Sequence, residues 1–195
     1  LNGYRCLAIV TPPRSANNVK LISRKNLEWK ALGHLNKELS IFPKGIYDGE
    51  LYKHGPDFQE ICGAVSRDEP NDLSAKIEYH IYDLVDENLP FSERHKLIQD
   101  IIIKHGIEFV KPVSTVLIKS STLIDQAHDD FVSQGYEGII LRNSNGLYKI
   151  NGRSSDLQKF KKFEDDEFKI IGANEMGGNW IGCCTFRCKT KAGHI

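Results

Sequence analysis

Four short stretches of this 195-residue chain combine residue types that handle phosphate, metal ions or nucleotides. The first, residues 47–51 (YDGEL), sets two carboxylates around a glycine in a strand-like segment. Asp-Gly often forms a hairpin corner, so a purely structural role is one interpretation. The other is functional: Glu50, at a strand end, points toward a pocket and accepts hydrogen bonds from a ribose hydroxyl.

The second stretch, residues 81–84 (IYDL), ends another strand-like segment. Side chains alternate along a strand, so Ile81 and Asp83 share one face and Tyr82 lies on the other. An aromatic side chain at such a position usually belongs to a core. It becomes a platform for stacking a base where its neighbours bind a nucleotide, so the interpretation of Tyr82 depends on the other stretches.

The third stretch, residues 135–142 (GYEGIILR), places Glu137 near two glycines where a helix ends and a buried strand begins. Small neighbours let an ion or a ligand approach both the backbone and the carboxylate. Glu137 is therefore a candidate Mg²⁺ ligand, although this short pattern has little specificity when taken alone.

The fourth stretch, residues 157–163 (LQKFKKF), carries two lysines on the same face of a predicted strand. Lys159 and Lys161 would stand about 7 Å apart, and two parallel cations repel each other unless an anion lies between them. A phosphate group is the expected anion. A solvated sheet edge with lysines that oppose aggregation is the alternative.

The elements that must position these stretches are mostly strands. Strand-like segments cover residues 4–11, 17–24, 45–53, 76–85, 108–118, 138–144, 157–163 and 167–176. Capping residues and glycines delimit three predicted helices. The first runs from Asn26 to Leu39, with Leu27, Ala31, Leu35 and Leu39 facing inward. The others run from Ser92 to Gly106 and from a Thr122–Asp125 capping box to Gly135.

Strands and helices do not alternate strictly, which favours an α+β fold of mainly antiparallel sheets with flanking helices. The composition changes near residues 164–168, where helical patterns stop and glycine-rich connections begin. We therefore predict one domain over residues 1–166 and the beginning of a second over residues 167–195.

Composition and charge exclude two classes of protein. With 40% hydrophobic and 27% charged residues, the chain is neither disordered nor membrane-embedded. The formal net charge is zero, but residues 1–47 hold eight Lys/Arg and two Glu, whereas residues 48–100 hold five Lys/Arg and thirteen Asp/Glu. A basic face for an anionic partner is compatible with this division, as is a solvated surface of patchy charge.

Five cysteines without a CxxC pair favour reduced thiols in an intracellular protein. Three of them, Cys183, Cys184 and Cys188, fall within one strand-like run. Adjacent cysteines on a strand point to opposite faces, so we interpret these three as buried small side chains rather than as metal ligands.

Taken in order, DGEL, IYDL, EGIILR and KFK, preceded by LNGYR, resemble the ordered motifs of the covalent nucleotidyltransferases, specifically the ATP-dependent DNA ligases. In that family the first motif reads lysine, any residue, aspartate, glycine, any residue, arginine. Residues 1–5 supply each position after the lysine, with Asn2 where aspartate is commoner. The resemblance thus places the nucleophilic lysine immediately before Leu1, and we expect a polypeptide that starts at Leu1 to be unable to adenylylate itself.

The resemblance implies three phosphoryl-transfer steps. A lysine attacks the α-phosphate of ATP to form lysyl-AMP, AMP passes to the 5′-phosphate at a nick, and the 3′-hydroxyl then expels AMP. ATP and Mg²⁺ are the implied cofactors, and nicked duplex DNA is the implied partner of a monomeric enzyme. The implied location is intracellular: the cytoplasm in a bacterial or viral setting, or the nucleus in a eukaryote.

The resemblance also assigns roles to individual residues. Lys159 and Lys161 would hold the α-phosphate, and Glu137 would hold the metal. The remaining assignments are Arg5 and Glu50 on the ribose, Tyr82 on the adenine, and Arg24 and Arg153 on the nick phosphate. Residues 1–166 would form the nucleotidyltransferase (adenylation) domain, and residues 167–195 would begin the OB-fold domain that follows it in these ligases.

Three other functions share parts of this pattern. An RNA ligase or an mRNA-capping guanylyltransferase uses the same chemistry and several of the same motifs. The EGIILR stretch and the contexts of Arg24 and Arg153 favour the DNA ligases. A non-catalytic module that binds nicks or nucleotides is an alternative of a different class.

Overall fold

The computed structural model describes residues 1–162, 167–191 and 193, which form two compact units, Leu1–Lys161 and Lys162–Ile195. The first unit is built on a five-stranded sheet of order β2-β1-β3-β4-β5. Its strands are β1 (Tyr4–Val10), β2 (Val19–Ser23), β3 (Gly45–Tyr52), β4 (Glu78–Leu84) and β5 (Val110–Pro112). Only β4 and β5 pair in parallel within this sheet. The α+β prediction is confirmed.

The core lies on one face of this sheet because apolar side chains alternate along the strands. Cys6 and Ala8 of β1 and Tyr79 and Ile81 of β4 are fully buried on that face. The buried Tyr79 hydroxyl donates to the carbonyls of Cys6 (3.0 Å) and Tyr47 (2.7 Å), which satisfies its polar atom. The opposite face of the sheet is left for polar side chains.

Four α-helices belong to the first unit: α1 (Gly33–Leu39), α2 (Phe58–Val65), α3 (Phe91–His105) and α4 (Ile124–Ser133). The predicted start of α1 at Asn26 is wrong. Asn26 has a left-handed φ of 60°, and the Ser23 hydroxyl accepts the N–H of Leu27, so residues 23–27 form a tight turn. Leu27, predicted to face inward, is 63% exposed.

The other helices begin in different ways. Helix α3 runs from Phe91 to His105 and stops at left-handed Gly106, as predicted. Its predicted cap is wrong: Ser92 lies inside the helix, and the N-cap is Pro90, which makes no side-chain cap hydrogen bond. Helix α4 starts at Ile124 after a 3₁₀ turn that Ser120 caps, so the Thr122–Asp125 capping box is not formed. Helix α2 was not predicted, although Asp57 and Glu60 form a capping box at its start.

A second, two-stranded antiparallel sheet joins β6 (Ile139–Arg142) to β7 (Leu157–Phe160). In the second unit, β8 (Lys169–Glu175) pairs antiparallel with β9 (Cys184–Lys189). Cys183 and Cys184 are exposed, so the prediction that they are buried is wrong: β8 and β9 form a two-stranded sheet that does not cover their side chains.

The predicted domain boundary after residue 166 borders residues 163–166, which lie outside the described part of the chain, and it stays a prediction. None of the helices in the described residues combines the length and the apolar character that crossing a membrane requires.

Candidate active site

The polar face of the five-stranded sheet carries a row of four residues from four adjacent strands. Arg5 of β1 is opposite Glu50 of β3, Glu50 is opposite His80 of β4, and His80 is opposite Lys111 of β5. Neighbouring strands lie about 4.8 Å apart, so Arg5, Glu50 and His80 are close neighbours on this face.

Arg5 is fixed by Asp48 rather than by Glu50. Its Nε and Nη2 atoms donate to the two carboxylate oxygens of Asp48 at 3.1 and 2.7 Å, and the hydrogen bond raises the pKa of Arg5. The Tyr148 hydroxyl donates to the same carboxylate at 2.8 Å. Asp48 is 2% exposed and lies at a β-bulge before Gly49, so the YDGEL stretch is a bulged strand and not a hairpin corner.

Glu50 lies beside Arg5 in register but binds the backbone N–H of Gly3, at 2.7 Å from its Oε1 atom. Burial raises the pKa of Glu50, and this hydrogen bond and the positive charge of Arg5 oppose the rise. A Cβ atom at Gly3 would stand 2.2 Å from the Leu51 carbonyl oxygen, so this position requires glycine. Glu50 keeps its second carboxylate oxygen for another partner.

Tyr82 lies on the polar face of β4, opposite the buried face of Ile81 and Asp83, as the alternation predicted. Burial raises the pKa of its hydroxyl, and the nearby charge of Asp48 raises it further. Within the described residues no other aromatic ring stacks on Tyr82. The Tyr82 hydroxyl lies near Asp48, which also binds Arg5, so Tyr82 and Arg5 share a neighbour.

Glu137, Lys159 and Lys161 form a compact charged cluster at the β6–β7 sheet. Lys161 Nζ lies 2.8 Å and Lys159 Nζ 3.6 Å from the same Oε1 atom of Glu137. The hydrogen bond from Lys161 lowers the pKa of Glu137; burial opposes this effect, and the charge of Lys159 lowers the pKa further. All three side chains are more than 40% exposed, so they can exchange partners with a ligand.

The structure places Arg5, Glu50 and Tyr82 on the five-stranded sheet, and Glu137, Lys159 and Lys161 at the β6–β7 sheet, all within the first compact unit. Among the described residues, no ion pair joins Lys159 or Lys161 to Glu50. Residue 163, which ends the predicted lysine strand, lies outside the described residues.

Both predicted nick-binding arginines are exposed. Arg24 lies in the turn after β2. Arg153 lines an open cleft in the β6–β7 connection together with Lys149 and Ser154. These positions leave both guanidinium groups free to meet a large partner.

The described residues hold no cluster of three or more His, Cys, Asp or Glu side chains that could bind a metal by themselves. Mg²⁺ typically takes one or two carboxylates together with substrate phosphate oxygens and water. Glu137, exposed and ionised, fits such a partial site, in which a ligand supplies the remaining oxygens.

Comparison with known proteins places this arrangement in a family. The family described as ATP dependent DNA ligase domain matches residues 1–161, which include the sheet, Glu137 and both lysines. The chain belongs to the ATP-dependent DNA ligase domain family. Its match ends at Lys161, the last residue of the first compact unit.

Similar ligases come from viruses and bacteria. The ligase domain is 28% identical over 201 residues to the DNA ligase of African swine fever virus, with 96% of this chain and 46% of that protein covered. It is 24% identical to the DNA ligase of Haemophilus influenzae, with 92% and 65% covered. The chain thus spans about half the length of the viral relative.

Solved ligase structures share the fold. A Chlorella virus DNA ligase-adenylate is 28% identical, with a TM-score of 0.66 over 90% of this chain and 65% of that one. A structure from a study of DNA binding by Lig E DNA ligases matches with a TM-score of 0.80 at 23% identity, over 100% of this chain and 72% of that one.

Sequence reasoning missed two residues that hold the predicted site residue Arg5 in place. Asp48 holds Arg5, and its signal was present: a carboxylate on the same strand face as Glu50, two residues away. Tyr148 reaches Asp48 from 100 residues away, and no local pattern indicates that contact.

Proposed function

We propose that the protein containing this chain is an ATP-dependent DNA ligase that seals nicks between a 5′-phosphate and a 3′-hydroxyl through lysyl-AMP and DNA-adenylate intermediates. The observation that carries the proposal is the cluster of Glu137, Lys159 and Lys161 within a chain of the ATP-dependent DNA ligase domain family. Two cations and one carboxylate leave a net positive charge in an exposed position, which suits a phosphate.

The lysine cluster would act on the α-phosphate of ATP. Lys159 and Lys161 would hold its oxygens and neutralise the charge that develops as pyrophosphate leaves. Glu137 would then turn from Lys161 to a Mg²⁺ ion, which supplies charge neutralisation at the phosphate when bound. The same cations would lower the pKa of the attacking lysine.

The polar face of the large sheet would bind the nucleoside. Glu50 has a carboxylate oxygen without a backbone partner and lies opposite Arg5, so the two can hold ribose hydroxyls. Tyr82 presents a half-buried ring on the same face for stacking against adenine. The hydrogen bond from the Gly3 N–H to Glu50 brings the LNGYR stretch beside the proposed ribose contacts, which supports a role of this stretch in nucleotide binding.

Nicked duplex DNA would be the partner, bound by a monomer. Exposed Arg24 and Arg153 would contact the phosphates at the nick. Phosphate contacts contribute most of the affinity of such complexes, so binding should weaken steeply with salt. The location that this function implies is inside the cell.

The test uses the whole protein, including any residues that flank this chain. Incubation with ATP labelled at the α-phosphate should give a labelled protein, and a nicked DNA duplex should then be sealed with release of AMP. A protein that is labelled by ATP but does not seal DNA under any salt condition would contradict the proposal.

The alternatives give different outcomes in the same assay. Sealing of nicked RNA in preference to nicked DNA would indicate an RNA ligase, and labelling by GTP in preference to ATP would indicate a guanylyltransferase. Binding of nicked DNA or nucleotide without any covalent labelling would indicate a non-catalytic module. Family membership and the matched relatives favour the DNA ligase.

A further inference from the structure

Two motif residues have no role among the proposed nucleotide contacts: Asp83 of IYDL and Arg142 of EGIILR. Both belong to one buried ionic group with Arg94, which we name the Asp83 cluster. The side chains of Asp83 and Arg94 are each 1% exposed and that of Arg142 is 16% exposed. Asp83 directly follows Tyr82, the residue proposed to stack on adenine.

The carboxylate of Asp83 accepts hydrogen bonds from both arginines. Arg94 donates from Nε to Oδ1 at 2.6 Å and from Nη2 to Oδ2 at 3.1 Å, while Arg142 donates from Nη2 to Oδ2. The backbone N–H of Leu84 also donates to Oδ1, at 2.9 Å. A buried and a partly buried arginine therefore share one carboxylate, and donors remain for other acceptors.

Those remaining donors bind backbone carbonyls of three segments. Arg142 Nη1 donates to the carbonyl of Tyr82 at 2.8 Å. Arg94 Nη1 donates to the carbonyl of Leu89 before α3 and to that of Gly146 after β6, the latter at 3.2 Å. The cluster thus ties the end of β4 to the start of α3 and to the end of β6.

Stability alone does not account for this cluster. A buried ion group is often no more stabilising than apolar side chains of similar volume, because desolvating the charges is costly. The hydrogen bonds do, however, fix geometry. Arg142 ends β6, the strand that begins two residues after Glu137, and it holds the backbone from which the Tyr82 ring projects.

We propose that Arg142, anchored by Asp83, is a positioning residue that holds the Tyr82 ring in place for the nucleotide base. This inference rests on the proposed nucleotide site. Arg142 does not touch the ligand and acts through the Tyr82 backbone. The loss of Arg142 should therefore weaken nucleotide binding by no more than the loss of the Tyr82 ring does.

A double-mutant cycle on the whole protein tests this role, with the KM for ATP in protein labelling as the readout. Arg142→Ala should raise this KM about tenfold, within the range that base stacking contributes. Arg142→Lys should raise it less, because an ammonium group can still donate to the Tyr82 carbonyl. In a Tyr82→Ala background, Arg142→Ala should add less than about twofold.

Two controls separate positioning from general destabilisation. Ile98→Val removes a methylene from the fully buried core of α3 and should lower the Tm without changing the KM for ATP. Arg67→Ala removes an exposed arginine and should change neither value. If Arg142→Ala does not fold, the cycle is completed with Arg142→Lys.

The outcomes are distinct. If the wild-type protein is labelled by ATP and the effects of Arg142 and Tyr82 substitutions multiply, the positioning role is wrong. An unchanged KM in Arg142→Ala would overturn it as well. If the wild-type protein reacts with no nucleotide, the proposed function itself fails.

Discussion

Lys161 Nζ lies 2.8 Å from Glu137 Oε1, although 24 residues of chain separate the two. Strands β6 and β7 create this contact by pairing Ile140 with Lys159, which brings the lysines back to the start of β6. Glu137 thus contacts both cations that we propose to bind the α-phosphate. This proposed role underlies the first prediction.

Removing either charge should stop catalysis without unfolding the protein. We expect Lys159→Ala and Glu137→Ala to reduce nick sealing by at least about 10²–10³-fold, because each removes a charged contact to the reacting phosphate. Both side chains are exposed, so the free energy of unfolding should change by less than about 1 kcal/mol.

The measurement pairs a nick-sealing assay with urea unfolding. Lys104→Ala, in the last turn of α3, is the matched control and should retain sealing. Near-wild-type sealing by either site variant would show that the cluster is not catalytic.

Asp48 should matter more for stability than the exposed charges. Asp48→Ala leaves the Arg5 guanidinium and the Tyr148 hydroxyl without their shared acceptor, and we expect a loss of about 2 kcal/mol or more in the free energy of unfolding. Tyr148→Phe removes one donor and keeps the ring, so it should cost about 1 kcal/mol. Urea titration measures both, and equal losses in the two variants would contradict the central role of Asp48.

Gly138 of EGIILR should not accept a side chain. A Cβ atom there would lie 2.8 Å from the Phe160 carbonyl oxygen, so Gly138→Ala must separate β6 from β7 and move the lysines from Glu137. We expect sealing to fall at least about tenfold and the Tm to drop.

Gly63 provides the matched control for this substitution. It lies inside α2 with no atom within 4 Å of a built Cβ, so Gly63→Ala should stabilise the protein by about 0.5–1 kcal/mol. A Gly138→Ala variant as stable and active as Gly63→Ala would refute the steric argument.

Glu78 should make the protein sensitive to acid. Burial raises the pKa of Glu78, but hydrogen bonds from Lys111, Lys53 and His80 outweigh that effect and lower it to about 2 from 4.5. Because the folded pKa lies below the unfolded one, this stabilisation is complete above about pH 5 and is lost as the pH falls toward 2.

The shift corresponds to about 2 kcal/mol between pH 6 and pH 3. Glu78→Gln should lose that much less stability over this interval than the wild type, as measured by urea unfolding at each pH. Glu69→Gln, at an exposed position, should keep the wild-type dependence. If Glu78→Gln and the wild type lose the same free energy of unfolding between pH 6 and pH 3, Glu78 does not make the predicted contribution.

Arg24 and Arg153 should affect AMP transfer to DNA more than the formation of lysyl-AMP. If they contact the nick phosphate, Arg24→Ala and Arg153→Ala should slow AMP transfer to DNA while lysyl-AMP forms at a near-normal rate. Single-turnover assays that follow protein labelling and DNA-adenylate separately measure the two steps. Equal losses at both steps would count against a role at the nick.

The sequence predicted much of the fold where the signals are local. Alternation identified the buried and polar faces of β4, and a glycine identified the end of α3. The same type of signal was available for α2 in Asp57 and Glu60 but was not used. The start of α1 was misplaced because the left-handed Asn26 and the Ser23 hydroxyl form a turn that competes with a helix cap.

The ordered motifs by themselves indicated the family, which the comparison with known proteins confirms. Short-range spacing also predicted which side chains share a strand face, because side chains alternate along a strand. Only the tertiary structure decided the partners: Asp48 for Arg5, Tyr148 for Asp48, and Arg142 for the Tyr82 backbone. These pairs are 43, 100 and 60 residues apart. Such contacts depend on sheet order, register and a bulge, which no local pattern encodes.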